Sequence, residues 1–239
     1  MRCAIIADIH ANLQALEAVV ADASEYGCEE FHVLGDVVGY NANPSECVEI
    51  VRALPGVCVL GNHDSAVAGL EPLDHFSPSA VSVLEWTRAN LTEDQRCWLA
   101  ALRPTRQIRL VTLVHATLDS PTSWGYIRTS SAAELSLACQ RTPLCFFGHT
   151  HVPGIFVQGG REILLDEGVQ LPPDQKFFIN AGSVGQPRDG DWRASYLIHD
   201  EESSGIWLRR VEYNVQTARQ AVLDAGLPAK LGDRLLIGL

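Results

Sequence analysis

Seven side chains carry donor atoms that divalent metal ions accept. They are Asp8 and His10 in Asp8-Ile9-His10, Asp36 after Gly35, Asn62 in Gly61-Asn62-His63-Asp64, His115, and the two imidazoles of Gly148-His149-Thr150-His151. Two carboxylates, one amide oxygen and four imidazoles, without a thiolate, suit Mn, Fe, Zn, Co or Ni. Seven donors are too many for one four-coordinate site, and one carboxylate bridging two ions resolves the count. Singly, each piece has a plainer explanation. Gly-Asp is a common turn, Asp-x-His reads as a turn or cap beside a surface histidine, and a lone histidine after a strand is usually satisfied in the core. The ordered set is the stronger signal, because every member follows a short apolar run.

Those runs cover residues 2–7, 30–34, 56–60, 112–114 and 144–147, and a further one at 176–179 precedes Asn180. They are rich in Val, Ile, Leu and Phe, as strands buried on both faces are. Helical patterns lie between the early runs. Leu13, Leu16, Val20 and Ala23 have helical spacing. Asn43-Pro44 reads as an N-cap and first-turn proline opening a helix to about residue 53. Thr92 to Gln95 and Ser131 to Glu134 fit capping boxes. Strand–helix–strand alternation implies crossovers and a largely parallel sheet. Binding residues in such sheets collect beyond the carboxyl ends of the strands, so the donors converge although they are spread from position 8 to 151.

The later chain has closely spaced strand-like runs at 154–158, 161–165, 176–180, 194–199 and 205–211, with Gly159-Gly160 as a hairpin turn. These suggest a second, more antiparallel sheet. Helices are expected over 214–225 and 230–237. The simplest organisation is one domain over residues 1–239, with a helical excursion at about 70–104 that overhangs one edge of the site.

The 239 residues suffice for a substantial core. No run of about 18 apolar residues occurs, so no membrane span is expected. The first residues lack the pattern of a signal peptide, and the cytoplasm is the expected location. Seven cysteines without a Cys-x-x-Cys pair read as reduced residues, mostly buried, rather than disulfides or zinc ligands. The net charge of −11 and the lack of a Lys/Arg cluster argue against duplex nucleic acid as a partner. An acidic protein can still act on phosphates where bound cations set the local field. His32, His75 and His199 receive no role. The oligomeric state is not legible.

The motifs Asp8-x-His10, Gly35-Asp36, Gly61-Asn62-His63-Asp64, His115 and Gly148-His149-Thr150-His151 resemble those of the calcineurin-like metallophosphoesterase family. The stretch from Asn180 to Gly190 looks like the small prokaryotic branch. The resemblance implies an α/β fold, a four-layer α/β/β/α sandwich of two mixed sheets. It implies Asp8, His10 and His151 on one metal, Asn62, His115 and His149 on the other, and Asp36 bridging both, with Mn the favoured ion. It implies hydrolysis of a small phosphoester, mono- or diester, by a hydroxide shared between the metals. His63 would protonate the leaving oxygen or steady the phosphoryl group, with Asp64 as its partner or a helix cap. Asn12 would lie near the phosphate or brace the metal loop.

Four positions depart from the family pattern. Ala11 and Ala116 stand where glycine is frequent. Gly39 and Tyr40 replace the Asp and Arg of the large protein phosphatases, which argues against a phosphoprotein substrate and leaves Arg188 as a candidate phosphate contact. Trp124, Tyr126 and Arg128 follow His115 and are candidates to contact a nucleotide. The alternative reading is a protein-interaction scaffold of the same fold, as in a retromer subunit. No Gly-x-x-x-x-Gly-Lys phosphate loop and no Ser-His-Asp set or nucleophilic cysteine is evident.

Overall fold

The computed structural model describes residues 1–74, 76–163, 165, 168–172 and 174–239, without the Ser79 side chain. In chain order the elements are β1 (Arg2–Ile6), α1 (Leu13–Glu25), β2 (Cys28–Val33), α2 (Pro44–Ala53), β3 (Gly56–Cys58), α3 (Asn62–Ala68), α4 (Pro78–Ala89), α5 (Glu93–Ala101), β4 (Thr105–Ile108), β5 (Val111–Val114) and α6 (Ser130–Cys139). They continue with β6 (Leu144–Phe147), β7 (Gly154–Val157), β8 (Arg161–Ile163), β9 (Val169–Gln170), β10 (Phe177–Asn180), β11 (Ala194–Asp200), β12 (Gly205–Val211), α7 (Val215–Asp224) and α8 (Ala229–Leu235).

The strands form two mixed sheets in the orders β3-β2-β1-β11-β12-β9 and β4-β5-β6-β10-β7-β8. Strand alternation builds the layers. Cys3, Ile5, Leu197, Phe146, Ile155, Phe177 and Ile179 fill the space between the sheets. Their neighbours Ala4, Ile6, Tyr196 and Ile198 face α1 and α2 on one outer surface, and Cys145, Phe147, Phe156 and Phe178 meet α6 on the other. The result is α/β/β/α.

Parallel pairing joins β1, β2 and β3 in one sheet and β5, β6 and β10 in the other. The late strands do not make a separate antiparallel sheet. β11 pairs antiparallel with β1, so β11, β12 and β9 extend the first sheet, while β7, β8 and β10 join β5 and β6. Pairing across almost 200 residues leaves no local signature that sequence periodicity could show.

Local chemistry sets several boundaries. Thr92 and Gln95 make both bonds of a capping box at α5. The cap of α6 is Thr129, whose hydroxyl accepts from Ala132 N, and not Ser131; the helix starts earlier because Thr129 adopts the extended conformation of a cap. Helix α3 was not expected, since Asn62 through Val67 are all buried and show no amphipathic stripe. Strand β4 was also unforeseen: its Thr-Arg-Gln-Ile sequence is mostly polar, as suits a sheet edge. The expected strand at 161–165 runs to Ile163, and residue 164 lies outside the described residues. Among the described residues no helix is long and apolar enough to cross a membrane.

Asp22 on α1 ties the helical layer to the first sheet, accepting from Arg209 (2.8 and 3.1 Å) and from the Tyr196 hydroxyl (2.7 Å). Burial opposes the charge, yet these bonds hold the Asp22 carboxyl below the usual range. A depressed carboxylate stabilises the fold above its unfolded value, about 3.9, and that contribution disappears as pH falls through the folded value. Asp22→Asn is expected to cost about 1 kcal/mol at pH 7 and much less at pH 3, measured by urea unfolding at both. Equal losses at the two pH values would refute this role. Phe146→Ala, in the middle of the inter-sheet core, is expected to cost about 3–5 kcal/mol in the same assay.

Candidate metal centre

The carboxyl ends of β1, β2, β3, β5 and β6 deliver the seven donors to one point. The connecting loops are hydrogen-bonded to each other through Asp8 N to Gly35 O (3.1 Å), His10 N to Asp36 O (2.9 Å), Gly148 N to His115 O (2.9 Å) and Gly185 N to Asp8 O (2.9 Å). Tight packing of loop on loop demands unusual backbone. Ten described non-glycine residues have positive φ, and Asp8, His10, Asp36, His149 and His151 are five of them. Such conformations cost energy and persist only where the surroundings enforce them. Ala11, at φ 55°, is a sixth in the same region, which explains why glycine suits that position. Gly148 lies against Asp8, so that an added Cβ would meet the Asp8 carboxylate.

The imidazoles share one arrangement. His10 Nδ1 faces Val38 O (3.2 Å), His115 Nδ1 faces Leu34 O (2.7 Å), His151 Nδ1 faces Gln186 O (2.6 Å) and His149 Nε2 faces Trp124 O (2.9 Å). A carbonyl only accepts, so each of these nitrogens carries the proton and assigns the tautomer. The other nitrogens point inward, with His10 Nε2 3.1 Å from His151 Nε2 and His115 Nε2 3.1 Å from His149 Nδ1. Asn62 Oδ1 is 3.1 Å from His115 Nε2. Asp36 Oδ2 lies between the pairs, 3.6 Å from His10 Nε2 and 3.4 Å from His115 Nε2. Asp8 Oδ1 is 3.4 Å from His151 Nε2, and this buried oxygen has no hydrogen-bond partner.

Three overlapping groups of donor atoms result, Asp8-His10-His151, His10-Asp36-His63 and Asp36-His115-His149, each within 4.8 Å, so that His63 borders the centre as well. Facing lone pairs on buried nitrogens and an orphaned carboxylate oxygen are unfavourable unless a cation lies among them, and imidazoles tethered through the far nitrogen are the common form of metal-ligating histidine. The residues therefore fit divalent ions. A separate group, Cys3 on β1 with Glu30 and His32 on β2, includes none of these donors, and Arg109 engages its carboxylate at 3.5 Å.

Charge follows burial and neighbours. Burial holds His10 and His151 well below the usual imidazole range, with Arg188 contributing at both, and lowers His149 to about 3 and His63 to about 4. Burial also pulls on His115, but Asp36 and Asp8 overcome it and raise His115 to about 9. Burial would raise Asp36, yet His115, His63 and His10 hold it well below the carboxylate range. Asp8, with burial dominant and Asp36 adding to it, rises to about 7.

The remaining sequence candidates separate. The His63 ring packs on Tyr40 and His10, and its buried Nδ1 has no partner. Gly39 lies directly against that nitrogen, so a larger residue at 39 would displace His63. Asp64 spends its carboxylate on Gly61 N and Val38 N, both at 3.2 Å, capping α3 and holding the loop that follows Asp36. Asn12 caps α1 through Ala15 N and donates to Gly185 O and Tyr213 Oη, which braces the loop and leaves no amide proton for a phosphate. Arg188 stacks over Tyr40 at 5.7 Å, its Nη2 is 3.4 Å from both Tyr40 Oη and Gln186 Oε1, and its buried Nε has no partner.

Above the donors opens a cleft of about 580 Å³, with Asn62, His63 and His149 at its base. Tyr40, Phe76, Trp124 and Tyr126 line it, as do Glu71 and Ser77 from the segment before α4. Sequence reasoning missed Glu71 and Phe76, which belong to no motif, and the tethering carbonyls of Leu34, Val38, Trp124 and Gln186, which no side chain reveals.

Two mixed sheets carrying a cluster of histidine and aspartate donors at their carboxyl edge define a metallophosphoesterase type of fold and site. Residues 1–204 match the calcineurin-like phosphoesterase superfamily domain. The chain is 39% identical to a metallophosphoesterase from Sphaerobacter thermophilus, whose structure aligns over 100% of this chain and 99% of that one with a TM-score of 0.90. An uncharacterized protein of Methanocaldococcus jannaschii is 38% identical over 98% of this chain and 97% of its own length. A hypothetical protein from Pyrococcus horikoshii shares the fold, with a TM-score of 0.81 at 17% identity over 100% of this chain and 98% of that one. The chain belongs to the calcineurin-like phosphoesterase superfamily.

The tautomers are directly measurable. In metal-free protein near pH 7, imidazole ¹⁵N spectra are expected to show Nδ1–H for His10 and His151, Nε2–H for His149, and both nitrogens protonated on His115. Protons on Nε2 of His10 and His151 would refute the carbonyl tethers.

Proposed function

We propose that the protein hydrolyses small phosphoesters, mono- or diesters, with two divalent cations. Asp8, His10 and His151 would hold one ion, Asn62, His115 and His149 the other, and Asp36 both. The observation that carries this reading is the pair of inward nitrogens on each side of Asp36 Oδ2, each fixed by a carbonyl behind it. The oxygen and nitrogen donor set makes Mn the first ion to test.

When bound, such a pair lowers the pKa of water to roughly 7 and neutralises charge on the phosphoryl oxygens. The chain's own residues do the rest. The His63 backbone N–H donates to Asp36 Oδ1 (2.8 Å), which links the placement of its ring to the shared carboxylate. With its pKa near 4 in the metal-free protein, His63 is a neutral imidazole, suited to donate one N–H to the phosphoryl or leaving oxygen. Arg188, whose Nε lacks a partner, is the cation nearest in role to the arginine that the family's protein phosphatases carry after the shared aspartate. Walls formed by Glu71, Phe76 and Trp124 suit small substrates. The complete donor set gives the scaffold alternative no support.

Asp36→Asn is expected to lower turnover of bis-p-nitrophenyl phosphate by more than about 100-fold and to reduce bound metal below two per chain, measured by steady-state kinetics and elemental analysis. Full turnover with two metals retained would overturn the scheme. Arg188→Ala is expected to raise KM more than it lowers kcat on the same substrate. A fall in kcat alone would place Arg188 outside substrate binding.

A further inference from the structure

The cleft above the donors has a wall that the hydrolysis itself does not require. Glu71 stands on one side, in the segment leading to α4, and Trp124 on the other, in the loop between β5 and α6. The Trp124 indole Nε1 donates to Glu71 Oε2 at 2.9 Å. The second oxygen, Glu71 Oε1, is buried and accepts nothing. A carboxylate oxygen withdrawn from water without a donor is costly, and a ligand that brings a donor relieves the cost. The same wall carries aromatic surface. Phe76 meets His63 edge-on at 5.4 Å, and Trp124 meets His115 edge-on at 5.8 Å. Tyr126 is already stacked on His149 at 4.2 Å and lies 4.9 Å from the Arg128 guanidinium, so it braces the wall instead of offering a free face.

We infer that this cleft is a leaving-group subsite for a nucleoside, with Phe76 and Trp124 flanking the base and Glu71 Oε1 accepting from an exocyclic amine or a ribose hydroxyl. The inference rests on the phosphoesterase reading above. Three features favour a nucleoside. The aromatic side chains suit a planar ring system, which gains from stacking and edge contacts. The unpartnered acceptor selects a ligand with N–H or O–H donors, and a site built to hydrogen-bond such a group discriminates strongly against ligands lacking it. The Glu71 charge repels additional phosphates, which disfavours polyphosphate or nucleic-acid leaving groups. A cleft of about 580 Å³ lies within the usual range for small-ligand sites. Trp124 also joins this subsite to the donors, since its carbonyl tethers His149 while its indole holds Glu71.

Isothermal titration of the full-length, manganese-loaded protein with adenosine tests the subsite without relying on turnover. Glycerol and choline serve as non-planar alcohols, and bis-p-nitrophenyl phosphate hydrolysis is followed in parallel. Saturable adenosine binding is expected, tighter than either control. Glu71→Gln is expected to weaken it by at least about tenfold, because glutamine keeps an oxygen for the Trp124 indole but turns the free acceptor into a donor. Phe76→Ala is expected to weaken it as well. Absence of saturable adenosine binding, equal affinity in the Glu71→Gln protein, or equal binding of glycerol or choline would overturn the inference. Hydrolysis without adenosine binding removes the subsite alone; adenosine binding without hydrolysis removes the phosphoesterase reading and leaves the subsite.

Discussion

Four imidazoles each give one ring nitrogen to a main-chain carbonyl, and their other nitrogens are driven toward each other. A ring that donates outward has only a lone pair to present inward. Two such lone pairs at 3.1 Å repel, and at the His10–His151 pair burial keeps both rings from taking up the extra proton that would relieve them. At the His115–His149 pair a proton drawn by Asp36 can relieve the strain in the metal-free protein. Positive charge at the centre is thus what the site is built to receive.

The fold can be understood as the means of holding this arrangement. Parallel strands from both sheets end at the same edge, and the loops that follow are hydrogen-bonded loop to loop. Left-handed backbone at Asp8, His10, Asp36, His149 and His151 turns each side chain inward over a very short span. Isolated loops would not keep such conformations. They are kept by the inter-sheet core, by Asp64 beneath the Asp36 loop and by Asn12 beneath the Gly185 loop.

Much of this was legible in the sequence, because buried parallel strands are continuous apolar runs and the donors follow them directly. The positions of β1, β2, β5, β6 and β10 emerged within a residue or two, as did the cap of α5 and the start of α2, where Asn43 holds the cap position but its side chain makes no capping bond and donates to Glu46. Other features leave no one-dimensional trace. Which sheet β11 joins is decided by pairing with β1, nearly 200 residues away. Helix α3 is buried on every side and lacks an amphipathic pattern, and edge strand β4 lacks an apolar run. Carbonyl tethers are invisible because any residue type supplies one. The partnership of Glu71 with Trp124 joins two segments whose sequences carry no motif, so only the tertiary structure could reveal it.

The helical excursion divides the labour within the molecule. The strand ends supply the donors, while the segment before α4 and the loop after β5 line the cleft beside them. Trp124 and Tyr126 serve both parts, Trp124 through its carbonyl on His149 and its indole on Glu71, and Tyr126 through its ring stacked on His149.

The most direct test of the central claim is anomalous diffraction from crystals grown with manganese. Two anomalous peaks, about 3.5–4 Å apart and flanking the Asp36 carboxylate, are the expected result. No peak, or a single peak away from Asp36 with the imidazoles still tethered to their carbonyls, would contradict the account.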